Sequence, residues 1–351
     1  MGYVQVIESF AYGSAKSVKQ LCNIVKSSGD VTVYYGRRDG TELELNDLPA
    51  HVNWIELPGS GIFKHLQNIL FLKKSIAPEA KVIHGHSTFG GLYIRVLNAL
   101  NVFNTSSSRY YYSPRGYAFL REDLPKLFRK VFYVYEFLCA KLSVTVACGP
   151  SEKNMADSFG GRAVKINNSL AVPKGGVLYN HSGGILAVGR ICYQKGFDIF
   201  VDVARAMPDV SFTWIGSYEE KDSALLDALP LNIIIKDYMP HELLLAEIEN
   251  SCLVLLPSRW EGLSRVLLET LVVGRPIVTS KIAANVDCLD GVSGSFKNGF
   301  SCLDVNEYVL SINKVLSNCE TATSMAVASR EYARREFEYE KVTQQWLELY
   351  K

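Results

Sequence analysis

The 351-residue chain lacks the short motifs that mark several common classes of site. Its eight cysteines include no Cys-x-x-Cys pair, and no histidines and cysteines stand at the spacing of a zinc site. It has no glycine-rich dinucleotide fingerprint and no run of 18 apolar residues. These absences argue against a disulfide scaffold, a zinc site, a dehydrogenase and a membrane-spanning helix. The scattered cysteines predict reduced thiols.

The chain has little net charge, but the charge is unevenly distributed. The net charge is +1, so no globally basic nucleic-acid binder is indicated. Residues 1–175 hold 21 Lys and Arg against 13 Asp and Glu, a net of +8, whereas residues 176–351 hold 16 against 23, a net of −7. This division favours either different partners for the two halves or mutual attraction between them. Residues 1–8 lack a basic leader, so we expect no signal peptide and a cytoplasmic protein.

Short β-rich segments alternate with helical patterns along most of the chain. This alternation predicts parallel sheets covered by helices. A glycine-rich stretch at 173–184 interrupts the pattern, and a second alternating series follows. We therefore expect an α/β protein with two doubly wound Rossmann-like domains, at 1–177 and 178–335, facing each other across a cleft. The predicted strands are 3–8, 31–35, 81–84, 109–113, 144–148, 184–188, 211–215, 232–235, 252–256 and 276–279, and the predicted helices include 14–28, 62–76, 88–100 and 321–350.

Two carboxylates follow the predicted strand 252–256, where open α/β sheets bind ligands. Glu261 and Gly262 lie in a predicted turn, and Ser264 is predicted to cap the next helix. Glu269 comes eight residues after Glu261, about 12 Å along a helix. The free N–H groups of the helix start suit a diphosphate, and the carboxylates are spaced to hold hydroxyls on either side of it. From spacing alone, a capping Glu261 and a solvated Glu269 are the simpler interpretation.

Two cations follow the predicted strand 184–188. Arg190 comes directly after Gly189, and Lys195 precedes Gly196. Cations just past a strand end suit a diphosphate, although a pair of surface cations is the alternative.

The order and spacing of these segments resemble those of glycosyltransferase family 4, which includes enzymes that build bacterial surface polysaccharides. The resemblance covers nearly the whole chain and implies a retaining enzyme of the GT-B fold. Such enzymes transfer a sugar from a nucleotide diphosphate sugar to an acceptor hydroxyl. The motifs that carry the resemblance are Gly189-Arg190, Lys195-Gly196, Pro257-Ser258, Glu261-x7-Glu269 and Gly274-Arg275-Pro276.

The resemblance also implies roles for individual residues. Arg190 and Lys195 would neutralise the leaving diphosphate, Glu261 would position the donor sugar, and Glu269 would hold the ribose. His86 would contact a donor-sugar hydroxyl. The other donor-binding positions would be Gly13, Gly189, Asp237, Tyr238, Gly262, Leu263 and Ser264. The sequence contains no Asp-x-Asp motif, so we expect no metal and no other cofactor. UDP-sugar is the first expectation for the donor, and GDP-sugar is the second.

The first half fits the same family in three segments. Residues 3–21 resemble its first strand, glycine loop and helix, and residues 82–91 resemble its histidine-bearing strand end with His84 and His86. The third segment is 112–122, where many members carry His at the position of Arg115. This arginine could contact an anionic acceptor or form an internal salt bridge. His84 is a second acceptor candidate. Residues 336–351 would form a helix that packs back on the first domain.

The basic first half also suggests a membrane surface. The amphipathic segment 62–76 and a basic cluster interleaved with apolar residues predict peripheral contact with an anionic membrane. The cluster comprises Arg121, Lys126, Arg129 and Lys130. Two ordinary helices packed on the sheet are the alternative. The expected acceptor is a lipid-linked saccharide at the inner face of the cytoplasmic membrane. A catalytically silent nucleotide-sugar binding protein and a nucleotide-sugar epimerase of the same fold are the competing functions.

Overall fold

The structure is a computed structural model that describes residues 2–38, 40–102, 109–292 and 295–351. Its contacts divide the chain into two units. Unit 1 comprises Met1–Leu120, Leu124–Asn168 and Glu340–Lys351, and unit 2 comprises Arg121–Asp123 and Ser169–Tyr339. The division therefore falls at Asn168, before the position 177 predicted from the glycine-rich stretch.

Unit 1 is built on a parallel sheet of seven strands within the described residues. The strand order is β3-β2-β1-β4-β5-β6-β7, so the direction of winding reverses between β1 and β4. The strands are β1 (Tyr3–Ile7), β2 (Val31–Tyr35), β3 (Val52–Glu56), β4 (Val82–His86), β5 (Arg109–Ser113), β6 (Val144–Ala147) and β7 (Ala163–Lys165). The helices are α1 (Tyr12–Val25), α2 (Thr41–Leu45), α3 (Lys64–Ser75), α4 (Ser87–Ala99), α5 (Lys126–Cys139) and α6 (Pro150–Ser158).

Unit 2 repeats this plan with a six-stranded parallel sheet in the part of the chain that the structure describes. The order β10-β9-β8-β11-β12-β15 reverses its winding between β8 and β11. The strands are β8 (Ile185–Val188), β9 (Phe212–Ile215), β10 (Ile233–Lys236), β11 (Leu253–Leu256), β12 (Ile277–Ser280), the pair β13 (Gly291–Val292) and β14 (Ser295–Phe296), and β15 (Gly299–Cys302). The helices are α7 (Phe197–Ala206), α8 (His241–Asn250), α9 (Arg265–Val273), α10 (Ala283–Val286), α11 (Val305–Leu316) and α12 (Cys319–Phe337). The last helix, α13 (Tyr339–Tyr350), belongs to unit 1 from Glu340 onward.

The predicted α/β class with two doubly wound parallel sheets is confirmed, but several predicted element boundaries were wrong, including the following two. Strand β4 continues to His86, so His84 lies inside the strand. The single helix predicted at 321–350 is two helices separated at Glu338, whose ψ of 132° is not helical. Leu170 pairs with the chain at this break, since its N–H donates to the Phe337 carbonyl at 3.1 Å and it forms a β-bridge with Glu338. Among the described residues, no helix combines the length and apolar character that a membrane span requires.

An aromatic cluster in unit 2 fixes the loop that follows β8. The Trp214 ring lies 4.9 Å from Phe197 and 5.0 Å from Phe200 in edge-on geometry, and all three side chains are buried. Such aromatic pairs add stability beyond the burial of their area. The Trp214 indole Nε1 donates to the Gly189 carbonyl at 2.7 Å. The core of unit 2 therefore sets the position of the loop that carries Arg190.

Gly196 allows close contact between the loops after β8 and β11. Its φ is +70°, and a Cβ built there would lie 2.1 Å from the Pro257 carbonyl oxygen. No other residue type fits both the left-handed backbone and this contact without a shift. Lys195 is therefore held beside the segment that begins at Pro257.

We expect Gly196→Ala to lower the free energy of unfolding of unit 2 by about 1–3 kcal/mol, because it adds backbone strain and a steric clash. Thermal melting of the full chain measures the effect. The matched control is Gly175→Ala, since a Cβ there meets nothing within 4 Å. Equal melting temperatures for the two variants would show that the contact with Pro257 is not a tight constraint.

Candidate active site

The predicted donor residues of unit 2 lie where the winding of its sheet reverses. Gly189 follows β8, Pro257 follows β11, and these strands are neighbours. In open α/β sheets this position is the usual ligand site, because the loops on either side of it diverge and leave a crevice. The Gly189 backbone has a φ of +152°, a conformation that side-chain-bearing residues rarely adopt.

Lys195 and Glu261 form an ion pair in this crevice. The Lys195 Nζ lies 2.5 Å from Glu261 Oε1, although the residues are 66 positions apart. The side chains are 18% and 9% exposed, so water screens the pair only partly. Glu261 is therefore not a capping carboxylate. It holds the Lys195 ammonium group at the strand ends.

Arg190 is paired with a residue that the sequence did not single out. Its Nη1 lies 2.7 Å from Glu219 Oε1, and both side chains are about one-quarter exposed. Glu219 belongs to the segment after β9, the neighbour of β8. The Arg190 guanidinium is therefore oriented by a carboxylate. Glutamate after a strand is too common for the sequence to reveal this partner.

The start of α9 differs from the prediction at Ser264. Ser264 is the N-cap residue, but its side chain makes no capping hydrogen bond, so the predicted cap was wrong. Several buried polar atoms in this segment find no hydrogen-bond partner within the described residues: Ser258 Oγ, Ser264 Oγ, Arg265 Nε and Arg265 Nη1. Buried polar groups are normally bonded, so such orphans near the strand ends indicate a place where a polar ligand can bind. Sequence reasoning missed Arg265.

Glu269 is buried in α9, with 3% of its surface exposed, so it is not a solvated helix residue. Its Oε1 lies 3.1 Å from the His241 Nε2 at the first position of α8. His241 was also missed, because nothing in the sequence places α8 beside α9.

Asp237 and Tyr238, two of the predicted donor-binding positions, follow β10 at the edge of the sheet and are exposed. The preceding Lys236 pairs with Glu247 of α8 at 2.6 Å.

In unit 1 the Asn168 amide lies between Arg115 and α1. The Asn168 Oδ1 accepts from Arg115 Nη1 at 2.6 Å. The Ser17 Oγ lies 3.2 Å from the same Oδ1 and 3.0 Å from the carbonyl oxygen of Gly13 in α1, and its single hydrogen serves one of these two acceptors. Arg115 thus bonds to a neutral amide here, and its φ of +59° is unusual for a non-glycine residue.

His84 and His86 are fully buried and their rings stack with centroids 4.1 Å apart. The Ser113 hydroxyl donates to the Val146 carbonyl, so it accepts from His84 Nε2 at 3.0 Å. His84 Nδ1 then accepts from the Tyr350 hydroxyl at 2.5 Å. Both ring nitrogens of His84 are used inside unit 1, so the predicted acceptor contact was wrong for this residue.

His86 keeps one nitrogen without a partner. Its Nε2 lies 2.8 Å from Gln5 Oε1, and its buried Nδ1 finds no partner among the residues that the structure describes. Burial lowers the pKa of His86 well below 6.5, and the nearby His84 ring and Arg115 cation lower it further. His86 is therefore neutral, with Nε2 as its donor and Nδ1 as its acceptor.

Residues 182–318 match the family model described as glycosyl transferases group 1. The match covers 137 of the 351 residues and lies within unit 2. The matched segment contains Arg190, Lys195, Glu261 and Glu269, whose arrangement carries the resemblance recognised in the sequence.

The proteins that match more of the chain than residues 182–318 are distant in sequence. A Klebsiella pneumoniae protein described as an uncharacterized 41.2 kDa protein in cps region is 22% identical over 299 residues, covering 77% of this chain and 78% of that protein. Sucrose-phosphate synthase from Thermosynechococcus elongatus has a TM-score of 0.79 at 14% identity, over 100% of this chain and 98% of that one. Anabaena HepE in complex with UDP and glucose has a TM-score of 0.77 at 15% identity, over 99% and 98%. The chain therefore has the predicted GT-B fold.

The buried histidines predict a pH-dependent stability. Burial, with a contribution from Arg115, also lowers the pKa of His84 well below 6.5. Because both folded-state pKa values lie below the unfolded value, the histidines contribute their full stability above about pH 6.5. That contribution is lost as the pH falls toward the folded-state pKa values. We expect the parent protein to lose stability more steeply between pH 7 and pH 5 than His84→Gln/His86→Gln.

Urea unfolding at several pH values measures this difference. If the double variant does not fold, an NMR titration of the parent histidine rings replaces it. Parallel pH profiles, or two buried rings that titrate near 6.5, would contradict the account.

Proposed function

We propose that the chain is a retaining, metal-independent transferase of glycosyltransferase family 4, acting on a nucleotide diphosphate sugar. The Lys195–Glu261 pair carries this proposal, because it brings a cation and a carboxylate together at the strand ends. Arg190 supplies a second cation in the same loop. The match to the group 1 family model and the UDP-bound state of a protein with the same fold support a nucleotide-sugar donor.

In the proposed reaction, the bond between the anomeric carbon and the diphosphate oxygen breaks. A bond from the acceptor oxygen forms on the same face, and the acceptor proton passes to the leaving phosphate. Arg190 and Lys195 neutralise the charge that develops on the diphosphate, and the N–H groups near Gly262, Leu263 and Ser264 add to this stabilisation. Removing one such donor commonly slows the reaction about 100-fold or more.

The carboxylates position the donor. Glu261 orients Lys195 and bonds the donor sugar, and Glu269, held by His241, bonds the ribose. Arg265 forms a further contact with the diphosphate through its Nε and Nη1, which are buried and have no hydrogen-bond partner in the described part of the chain. His86 offers Nδ1 to a substrate hydroxyl. The nucleobase of the donor packs against Asp237 and Tyr238. UDP is the first candidate nucleotide and GDP the second.

The proposed acceptor is a lipid-linked saccharide in cell-surface polysaccharide synthesis, and the proposed sugar is a hexose or an N-acetylhexosamine. The relative from a cps region supports this choice. Arg115 is the acceptor-binding candidate that the geometry leaves, and Gly13 stays a predicted backbone contact. We place the protein at the cytoplasmic face of the membrane, with no nucleic-acid partner.

Nucleotide binding in EDTA tests the donor site. We expect one of UDP, GDP, ADP and dTDP to raise the melting temperature, since a ligand at 100 times its Kd adds about 2.7 kcal/mol. Arg190→Ala, Lys195→Ala, Arg265→Ala and Glu269→Ala should each weaken binding about 10- to 100-fold, because charged hydrogen bonds contribute about 1.5–3 kcal/mol.

The matched control is Arg205→Ala, which removes an exposed α7 arginine paired with Asp202 in the same unit. If no nucleotide stabilises the parent, even with magnesium restored, the proposal fails. Equal affinities in Lys195→Ala and Arg205→Ala would show that binding occurs elsewhere.

A further inference from the structure

Helix α5 exposes most of its apolar side chains and buries its one acidic residue, Glu136. Within this helix, all of which lies in the described part of the chain, the one fully buried residue is Glu136. Its exposed apolar and aromatic residues are Leu127 (71% exposed), Phe128 (58%), Val131 (57%), Tyr133 (46%), Val134 (43%), Phe137 (54%) and Leu138 (70%). Leu127, Val131, Val134 and Leu138 recur at helical spacing, so they form one stripe. A contiguous apolar surface of this kind marks an interaction site.

A buried ion pair explains how the helix keeps this orientation. Glu136 Oε2 lies 2.7 Å from Arg95 Nη1 of α4, and the Tyr112 hydroxyl donates to Glu136 Oε1 at 2.7 Å. Arg95 Nε also donates to the Ser143 hydroxyl at 3.0 Å. Each buried charge therefore has several partners, as burial of a charge requires. These polar contacts, together with packing of the Phe132 and Tyr133 rings, hold the helix on unit 1, and its apolar stripe remains exposed.

The amino end of α5 is basic and forms a hollow. A shallow surface hollow of about 350 Å³, largely open to solvent, is lined by Phe119, Lys126, Arg129, Lys130 and Tyr133. The Arg129 Nε donates to the Phe119 carbonyl at 3.0 Å, which fixes the guanidinium. Within the described ranges, none of these three cations has a carboxylate within 4 Å. Three cations around a concavity fit a phosphate group.

Helix α3 places a similar surface nearby. Phe89 of α4 stacks on His65 of α3 at 4.1 Å and meets Phe132 of α5 edge-on at 6.3 Å. The exposed apolar residues at this end of α3 are Ile62, Phe63, Leu66 and Leu70. Lys73 and Lys74 at the other end are also exposed. Apolar and basic residues therefore recur on the two helices that contact Phe89.

We propose that the α5 stripe and the basic hollow bind an anionic lipid bilayer, with a lipid phosphate in the hollow and the stripe in the interfacial region. Charge complementarity selects this partner: a second copy would bring like-charged cations together, whereas anionic headgroups neutralise them. The inference rests on the proposed function for its membrane-borne acceptor, and it assigns the membrane contact to a defined surface.

Sedimentation of the full chain with vesicles tests the inference. We expect binding to vesicles of phosphatidylglycerol and phosphatidylcholine, and much weaker binding to phosphatidylcholine alone. Lys126→Gln/Arg129→Gln/Lys130→Gln should weaken binding about 100-fold, since each cation near an anionic surface strengthens it about fivefold. Leu127→Ser/Val131→Ser/Leu138→Ser should also weaken it, because the stripe no longer enters the interface. Millimolar inorganic phosphate should not release the protein.

The matched control is Arg205→Gln/Lys281→Gln/Lys314→Gln, which removes three exposed cations from unit 2. Equal vesicle binding by the two charge variants would overturn the inference. A parent protein that does not bind vesicles but forms a dimer, with the dimer lost in the serine variant, would also overturn it. Nucleotide-induced melting shifts are measured on every variant. If those shifts persist while vesicle binding fails, the membrane surface is wrong and the donor site stands.

Discussion

The contact between the loop after β8 and the loop after β11 is the constraint on which the site depends. Gly196 lies against the Pro257 carbonyl, and Lys195 reaches Glu261 across the same junction at 2.5 Å. Lys195 and Glu261 can meet only because the sheet places β8 beside β11. Trp214 fixes the same loop from the core by bonding the Gly189 carbonyl. The arrangement of charge therefore follows from backbone packing and not from the local sequence.

Much of the fold could be predicted from the sequence, because alternation of strand and helix patterns specifies parallel sheets whatever the loops do. Two features could not be predicted, because both involve residues that are remote in the sequence. The break at Glu338 lies where Leu170 forms a β-bridge. Helix α5 turns Glu136 inward to Arg95 and leaves its apolar stripe exposed. Periodicity shows which face of a helix is apolar, but it does not show whether that face points inward.

The spacing of Glu261 and Glu269 alone favoured a capping and a solvated residue, and only the resemblance to glycosyltransferase family 4 implied their donor roles, which stay predictions. The side-chain partners in the site could not be predicted where they are remote in the sequence. Glu219 pairs with Arg190 from 29 positions away, and His241 meets Glu269 from 28 positions away. For His84 a contact was predicted that the structure does not leave room for. Its position at a predicted strand end suggested a ligand contact, but Tyr350 and Ser113 bond to its two ring nitrogens. Such partners become visible only when the strands and helices are placed.

We infer that the paired charges at Lys195 and Glu261 act in sugar transfer and not in nucleotide binding alone. Release of free UDP or GDP from a panel of nucleotide sugars in EDTA, with and without a bacterial membrane-lipid extract as acceptor, tests this role. We expect slow release without acceptor, faster release with the extract, and loss of both in Lys195→Ala. A parent protein that binds a nucleotide sugar but releases no nucleotide under either condition would contradict it and favour a silent binding protein.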